Sequence, residues 1–269
     1  MGITVGVVGT GNMGSALVRG WLRSPDPQID LLVYDIVQER AGDLGDAQGV
    51  TVAASLEDLA KRSDVLMVVV KPKDVVAVLK ALRPTVTEGK TVVSSAAGIT
   101  LDSMRAALGP APALFRIMPN LGVELGEGVL ALSPEPGVAS DAIGALSRLF
   151  ACMGVVEVVP EDTLDAVAAV AGSSVGFLAL ALEAMEDGAV RVGMPRASAR
   201  TFVRQTALAT ALLLQRHPGS AADLKDQVAS PGGTTMAGLA VLEDQGVRGA
   251  FMRAIEEATE RGRQMRDGK

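Results

Sequence analysis

Residues 3–14 read ITVGVVGTGNMG, an apolar run that leads directly into three glycines at the spacing G-x-G-x-x-G. A strand that ends in such a turn and then opens a helix is the setting in which this spacing binds a dinucleotide. The glycines permit a tight turn, a close approach of the backbone to a pyrophosphate and close packing of the helix on the strand. Free N–H groups at the start of the helix then attract the phosphates. The cofactor-binding residues predicted here are Gly9, Gly11, Asn12, Met13 and Gly14.

Outward from this loop, short apolar runs alternate with helical patterns through the first 160 residues. Strands are predicted at 3–8, 31–35, 65–70, 91–96 and 113–118. Helices are predicted between them at 12–24, 55–62, 73–84 and 101–108. A further strand, helix and strand at 127–133, 138–152 and 154–160 would extend the sheet. Because strand and helix alternate, we expect an α/β fold with a Rossmann-type, doubly wound parallel sheet.

The pattern changes after Pro160, where no convincing strand is found. Helices are predicted at 162–190, 196–217, 220–229, 234–245 and 247–266, separated by breaks rich in proline and glycine. The sequence therefore predicts two domains: residues 1–160 form a dinucleotide-binding domain, and residues 161–269 form an all-helical one.

Composition limits the possible partners of the protein. The chain has 269 residues and a net charge of −6 with no basic stripe, so we expect no nucleic-acid binding. A single cysteine, Cys152, excludes an internal disulfide and fits a reducing compartment, and no signal peptide is expected, so we predict a cytoplasmic protein. Residues 166–182 carry no charge, but this run barely reaches the length of a membrane span and holds Gly172, Ser173 and Ser174. We interpret it as a helix buried between subunits and expect no membrane contact.

Other candidate cofactor residues lie at the predicted carboxyl ends of the strands, where ligands bind in such sheets. Asp35 ends the second strand, 21 positions after Gly14, where a carboxylate would bond ribose hydroxyls and repel a 2′-phosphate. This favours NADH over NADPH, although Arg40 could still serve a phosphate and Asp35 could be only a strand-end or helix-capping residue. Lys71 could meet a phosphate or a carboxylate, or could be a solvated loop lysine. The predicted cofactor-binding residues beyond the glycine loop are Asp35, Ser55, Val70, Lys71, Pro72, Ala97 and Asn120.

A second glycine-rich stretch, SPGGTT at 230–235, interrupts the helical half. Pro231 stops the preceding helix, and Thr234 or Thr235 is expected to cap the next one. A plain helix–helix turn remains an alternative, but a cap needs only one threonine. The additional hydroxyls and the N–H groups of the helix start therefore favour a site for a small anion, with a carboxylate as the obvious ligand.

Residues 224–265, which contain this stretch, resemble the signature region of pyrroline-5-carboxylate reductases. GTGNMGSALVRG, VVVKPKD, SSAAGIT, RIMPN and EAMEDGAVRVGMPR fall where that family has corresponding blocks, so the resemblance covers nearly the whole chain. It implies NAD(P)H-dependent reduction of the imino acid 1-pyrroline-5-carboxylate to L-proline. It also implies that the helical domain is a dimerisation domain, so a homodimer is expected, with further assembly left open. The substrate-binding residues that the resemblance implies are Gln227, Ser230, Gly232, Gly233, Thr234 and Thr235, with Thr235 near the ring nitrogen as the catalytic residue.

Two departures from the family pattern leave alternatives open. Leu121 and Gly122 follow MPN where the family commonly has Thr-Pro, and Ser174 and Val175 stand where it commonly has Gly-Pro. A reductase of another small cyclic imino acid is therefore kept as an alternative. A catalytically silent dinucleotide-binding sensor that kept the fold is a second alternative. No metal site is expected, and His217, the single histidine, is interpreted as a partner of a helix C-terminus.

Overall fold

An eight-stranded sheet forms the N-terminal part of the computed structural model, which describes residues 2–23, 29–45, 49–216 and 218–267. Its strands are β1 Ile3–Val8, β2 Ile29–Tyr34, β3 Val50–Val52, β4 Val65–Val68, β5 Thr91–Ser94, β6 Ala113–Pro119, β7 Gly128–Pro134 and β8 Gly154–Val158. Their order in the sheet is β3-β2-β1-β4-β5-β6-β7-β8. All neighbouring pairs are parallel except β6 and β7, which are antiparallel. The first six strands therefore follow the doubly wound order 3-2-1-4-5-6, and the predicted fold class is confirmed.

The helices of this part are α1 Asn12–Arg23, α2 Gln38–Gly45, α3 Leu56–Arg62, α4 Pro72–Leu82, α5 Leu101–Leu108 and α6 Ser140–Phe150. They cover both faces of the sheet, which accounts for the continuous apolar runs of the central strands. On one face the indole of Trp21 stacks on Phe150, with ring centroids 5.6 Å apart, and donates a hydrogen bond to the carbonyl of Leu149. On the other face, α4 and α5 bury Leu79 and Met104 completely.

Two elements of the sheet domain were not predicted. The segment between β2 and α3 forms α2 and β3. Helix α2 buries only Ala41 and Leu44, and β3 is three residues long. A short strand at the edge of the sheet has little periodicity to detect, which explains why the pattern missed it.

The C-terminal half is helical, as predicted. Its helices are α7 Leu164–Val167, α8 Ser174–Arg191, α9 Arg196–Arg216, α10 Ala221–Val228, α11 Thr234–Asp244 and α12 Val247–Arg266. The single helix predicted over 162–190 is wrong in one respect, because a π-helical turn, Ala168–Ser173, separates α7 from α8. The prediction for His217 falls outside the described residues.

The described residues divide into two compact units. The first runs to Gly172 and includes the chain again from Ala258, and the second is Ser173–Glu257. The domain boundary predicted at Pro160, between residues 1–160 and 161–269, stays a prediction. Within the helical stretch Glu161–Arg191, an apolar window of 18 residues has a mean hydropathy of 1.8, so the stretch could cross a membrane by length and composition alone. Only 17% of this apolar window is buried within the chain.

Candidate dinucleotide cleft and anion-binding turn

The glycine loop after β1 depends on the absence of side chains at two of its positions. Gly9 has φ +94°, and a Cβ there would lie 2.6 Å from the carbonyl oxygen of Val69. Its N–H donates to the carbonyl of Tyr34, so the loop is tied to the end of β2. A Cβ on Gly14 would lie 1.9 Å from the Gly9 oxygen, because α1 begins directly against the end of β1. These two glycines are therefore required by the backbone itself.

Gly11 differs from its neighbours, because a Cβ there would meet no atom within 4 Å. It borders two adjoining clefts, one of about 720 Å³ and one of about 370 Å³. The residues that line both are Gly11, Arg40, Val69, Val70 and Lys71. The cradle that a side chain at Gly11 would fill is thus open, and it fits the phosphates of a dinucleotide at the start of α1.

Asp35 lies just past the end of β2 and is buried, with 8% of its surface exposed. Its Oδ2 accepts hydrogen bonds from the N–H of Thr10 at 2.8 Å and from the Thr10 hydroxyl at 3.2 Å, and its Oδ1 accepts one from the N–H of Val37 at 2.9 Å. The Ser15 hydroxyl in turn donates to the Thr10 carbonyl. Asp35 therefore holds the glycine loop in shape, a role that the sequence did not predict, while it also lines the smaller cleft.

The other predicted cofactor residues occupy different places around the clefts. Lys71 precedes α4 and is exposed, and Pro72 is the first residue of that helix. Ser55 is the N-cap of α3, where its hydroxyl accepts from the N–H of Asp58, and it does not line either cleft. Ala97 belongs to the loop between β5 and α5 and packs against a small cluster that includes Met118. Binding by these residues stays a prediction.

Asn120 has a structural task at the end of β6. Its Oδ1 accepts from the N–H groups of Gly122 and Val129, and its Nδ2 donates to the carbonyl of Ala171 in the π-helical turn. The side chain thus joins β6, the following 3-10 turn Leu121–Leu125 and the π turn. The predicted contact between Asn120 and the cofactor stays a prediction.

Arg19, Leu121 and Glu124 line the larger cleft and were not predicted to bind the cofactor, whereas Arg40 was left open as a partner for a phosphate. Arg40 is exposed and lines both clefts. Arg19 and Glu124 form an exposed ion pair of 3.0 Å across α1 and the 3-10 turn. Leu121 lies beside them and is 50% exposed. The sequence predicts the helix that carries Arg19, so its position on that helix could have been inferred. Nothing in the sequence indicated that the 3-10 turn Leu121–Leu125 reaches the same cleft.

The SPGGTT stretch forms a tight turn in the second unit. The N–H of Gly233 donates to the carbonyl of Ser230, and Gly232, at φ +68°, takes the left-handed conformation that the turn requires. The expected cap is wrong: the N-cap of α11 is Gly233, and neither Thr234 nor Thr235 caps the helix with its side chain. The two threonines are the first two residues of α11, so their hydroxyls are not used as the cap of their own helix. Thr235 is half-buried.

Gln227 is exposed in the last turn of α10, directly before this turn. A capping box holds the other end of α10: Asp223 accepts hydrogen bonds from the backbone N–H and hydroxyl of Ser220, which lower the pKa of its carboxyl. The start of α10 is therefore fixed by a charged cap.

Among the described residues, no group of three His, Cys, Asp or Glu side chains is placed to hold a metal ion.

Known proteins resemble the chain over nearly its whole length. Residues 161–265 match the family model for pyrroline-5-carboxylate reductase dimerisation, and residues 4–98 match a model described as NADP oxidoreductase, coenzyme F420-dependent. Pyrroline-5-carboxylate reductases of Methanosarcina acetivorans and Escherichia coli are 35% and 34% identical to it, each over 97% of both chains. The crystal structure of Plasmodium falciparum pyrroline carboxylate reductase with NADP bound has a TM-score of 0.88 at 25% identity and covers 98% of both chains.

These findings agree with the geometry, since they match a dinucleotide-binding oxidoreductase domain in the first half and a helical domain in the second. They also confirm the resemblance inferred from the sequence blocks. The chain belongs to the pyrroline-5-carboxylate reductase family of NAD(P)-dependent oxidoreductases.

Proposed function

We propose that the protein reduces 1-pyrroline-5-carboxylate to L-proline with NAD(P)H. The observation that carries the proposal is the match of 97% of the chain to relatives that bear this activity in their names. The two alternatives, reduction of another cyclic imino acid and a silent sensor, gain no support from these relatives.

The chemistry asks little of the protein's own acids and bases. NAD(P)H, when bound, would supply a hydride, which is one hydrogen with two electrons, to the carbon of the protonated C=N bond. The π bond of the imine then breaks, and its electron pair stays on the ring nitrogen, which becomes an amine. A protonated cyclic imine is already an electrophile, so the chain has only to orient the two molecules and exclude water. Gly11 and the start of α1 would hold the diphosphate, in a loop whose shape Gly9 and Gly14 permit, and Lys71 would supply a positive charge beside it.

We place the substrate carboxylate at the SPGGTT turn. The N-terminal N–H groups of α11 carry a partial positive charge, and Thr234 and Thr235 bring hydroxyl donors to the same helix start. The substrate-binding residues in this proposal are Gln227, Ser230, Gly232, Gly233, Thr234 and Thr235. Thr235 donates toward the substrate and is the residue placed nearest the reacting nitrogen.

The assay that tests the function measures oxidation of NADH and of NADPH by purified protein with 1-pyrroline-5-carboxylate, and identifies proline as the product. Turnover of a six-membered cyclic imine without turnover of the five-membered one would favour the first alternative. Binding of NADH with no turnover of any imine would favour the sensor.

We further propose that NADH is the better reductant, because the buried carboxylate of Asp35 faces the smaller cleft and repels a 2′-phosphate. Asp35→Asn retains one acceptor for Thr10 and removes the charge. It is expected to raise the ratio of kcat/KM for NADPH to that for NADH by about tenfold, since like charges close together repel by about 1–4 kcal/mol near a surface. Arg40→Gln removes the exposed cation of the same clefts and should shift the ratio the other way. A ratio that both variants leave unchanged contradicts the assignment.

We propose that the protein is a homodimer through its helical domain and works in the cytoplasm without a membrane. Large apolar side chains are exposed on these helices, among them Leu180 at 67%, Phe202 at 60% and Met252 at 60%. A second copy that covers these side chains accounts for an exposed apolar surface of this extent better than solvent does. Light scattering in detergent-free buffer is expected to give at least twice the chain mass. A monomer, or a protein recovered only with detergent, contradicts the proposal.

A further inference from the structure

A buried arginine braces the loop between β5 and α5, Ser95–Thr100. Arg116 belongs to β6 beside the last residue of β5, and its side chain is 3% exposed. Its Nη1 donates to Oε1 of Glu161 at 2.9 Å, and its Nη2 lies 3.4 Å from the carbonyl oxygen of Ala96. The same Glu161 oxygen accepts from the N–H of Leu101, the first residue of α5, at 2.7 Å. One ion pair therefore holds both ends of the loop.

The far side of the loop is held as well. A Cβ on Gly98 would lie 3.0 Å from the carbonyl oxygen of Met265, so the last turn of α12 packs directly on the loop backbone. This last turn is tied down in turn, because Arg266 donates to Asp165 at 2.7 Å. The loop Ser95–Thr100 is thus enclosed between the Arg116–Glu161 pair and the end of α12.

An arginine is a costly residue for this position if its only task is to pack the sheet. In the part of the chain that the structure describes, two buried side-chain atoms lack a hydrogen-bond partner, Nε of Arg116 and Oγ of Ser133. The two residues are cross-strand neighbours on β6 and β7. Apolar residues of similar volume often replace a buried ion pair without loss of stability. The arginine is therefore better explained by what it holds in place.

We propose that Arg116 is a positioning residue for hydride transfer: through Glu161 and the Ala96 carbonyl it fixes the loop against which the nicotinamide end of the cofactor binds. The inference rests on the proposed function and assigns this loop to the nicotinamide. The loop follows the carboxyl end of β5, next to β4, and the residues that follow β4, Val69–Lys71, line both clefts. Ligands bind outside such strand ends, and residues 97–100 stay partly exposed. The diphosphate is held elsewhere, at the loop that follows β1. Loss of Arg116 consequently impairs alignment rather than cofactor affinity.

The test compares Arg116→Met with a matched control, Arg105→Met. Arg105 also forms an ion pair with a glutamate, Glu135, and its hydrogen bond to Glu135 raises the pKa of its guanidinium. Its other hydrogen bonds go to the carbonyls of Gly109 and Pro112, which precede β6. The control therefore removes a partly buried ion pair of the same domain without touching the loop Ser95–Thr100.

Arg116→Met is expected to lower kcat about tenfold or more and to increase the primary deuterium isotope effect with deuterated NADH, because misaligned reactants slow the transfer step. The dissociation constant of NADH should stay within about threefold of the wild-type value, because the diphosphate loop is intact. Hydrogen exchange of residues 95–101 in the cofactor-free protein should become faster. Arg105→Met should show none of these changes, although it can lower the unfolding temperature.

Wild-type kcat and unchanged exchange of residues 95–101 in Arg116→Met overturn the inference. If Arg116→Met does not fold, Glu161→Gln is the second variant. It should show the same fall in kcat and the same faster exchange of residues 95–101. The inference fails if Glu161→Gln shows neither change. If the wild-type protein reduces no 1-pyrroline-5-carboxylate, the proposed function fails. The exchange and NADH-binding measurements still decide whether Arg116 fixes this loop.

Discussion

Gly11→Val is expected to weaken NADH binding about a hundredfold or more, a loss of about 2.7 kcal/mol in binding free energy, while the protein remains folded. The reason is the position of the missing side chain. A Cβ on Gly11 meets no protein atom within 4 Å, and the space it would enter belongs to both clefts. The valine methyl groups would then occupy the volume that the diphosphate needs and separate it from the N–H groups at the start of α1.

The choice of glycine makes this experiment informative. Valine at Gly14 would collide with the Gly9 oxygen and distort the loop, so a loss of binding there would report only misfolding. Gly42→Val is the matched control, because Gly42 also has open space around its Cβ but lies on α2 outside both clefts. Fluorescence titration with NADH and thermal unfolding of both variants decide the matter. If the two valine variants bind NADH equally well, the diphosphate does not lie at Gly11.

The sequence predicted the sheet domain well because its signals are local. Apolar runs bounded by turns predicted the central strands, and the spacing of Gly9, Gly11 and Gly14 predicted the tight turn between β1 and α1. The strands β2, β4 and β5 end one or two residues earlier than predicted, at Tyr34, Val68 and Ser94. The residues beyond those ends continue the apolar pattern or stay buried, so periodicity alone could not separate them from the strands.

The side-chain contacts within the site could not be predicted, since they join residues far apart in the chain. Asp35 looked like a ribose ligand from its position, and only the structure shows that it accepts hydrogen bonds from Thr10 and Val37. Arg116 lies in an apolar strand pattern without a sequence signal for its partner, Glu161, 45 residues later. The π turn at Ala168–Ser173 ends in Gly172 and Ser173, but a glycine and a serine within an apolar run do not by themselves distinguish a π turn from a continuous α-helix.

Thr235→Ala is expected to lower kcat/KM for 1-pyrroline-5-carboxylate about a hundredfold, since a hydrogen bond to a charged group contributes about 1.5–3 kcal/mol. Thr235 is the second residue of α11 and is half-buried, and it does not cap the helix with its side chain. Its removal should therefore leave the unfolding temperature nearly unchanged. The dissociation constant of NADH should also stay at its wild-type value, because the dinucleotide loop is formed by β1 and α1.

Two further variants separate a lost hydroxyl from a disturbed helix start. Thr235→Ser restores the donor on a smaller side chain, so it should recover much of the lost kcat/KM if the hydroxyl binds substrate. Thr87→Ala makes the same change at an exposed loop position after α4 and should behave as wild type. Unchanged kcat/KM in Thr235→Ala would show that the Thr235 hydroxyl does not bind the substrate. A serine variant as slow as the alanine variant would assign the loss to packing of the threonine methyl group, because the donor alone then fails to support turnover.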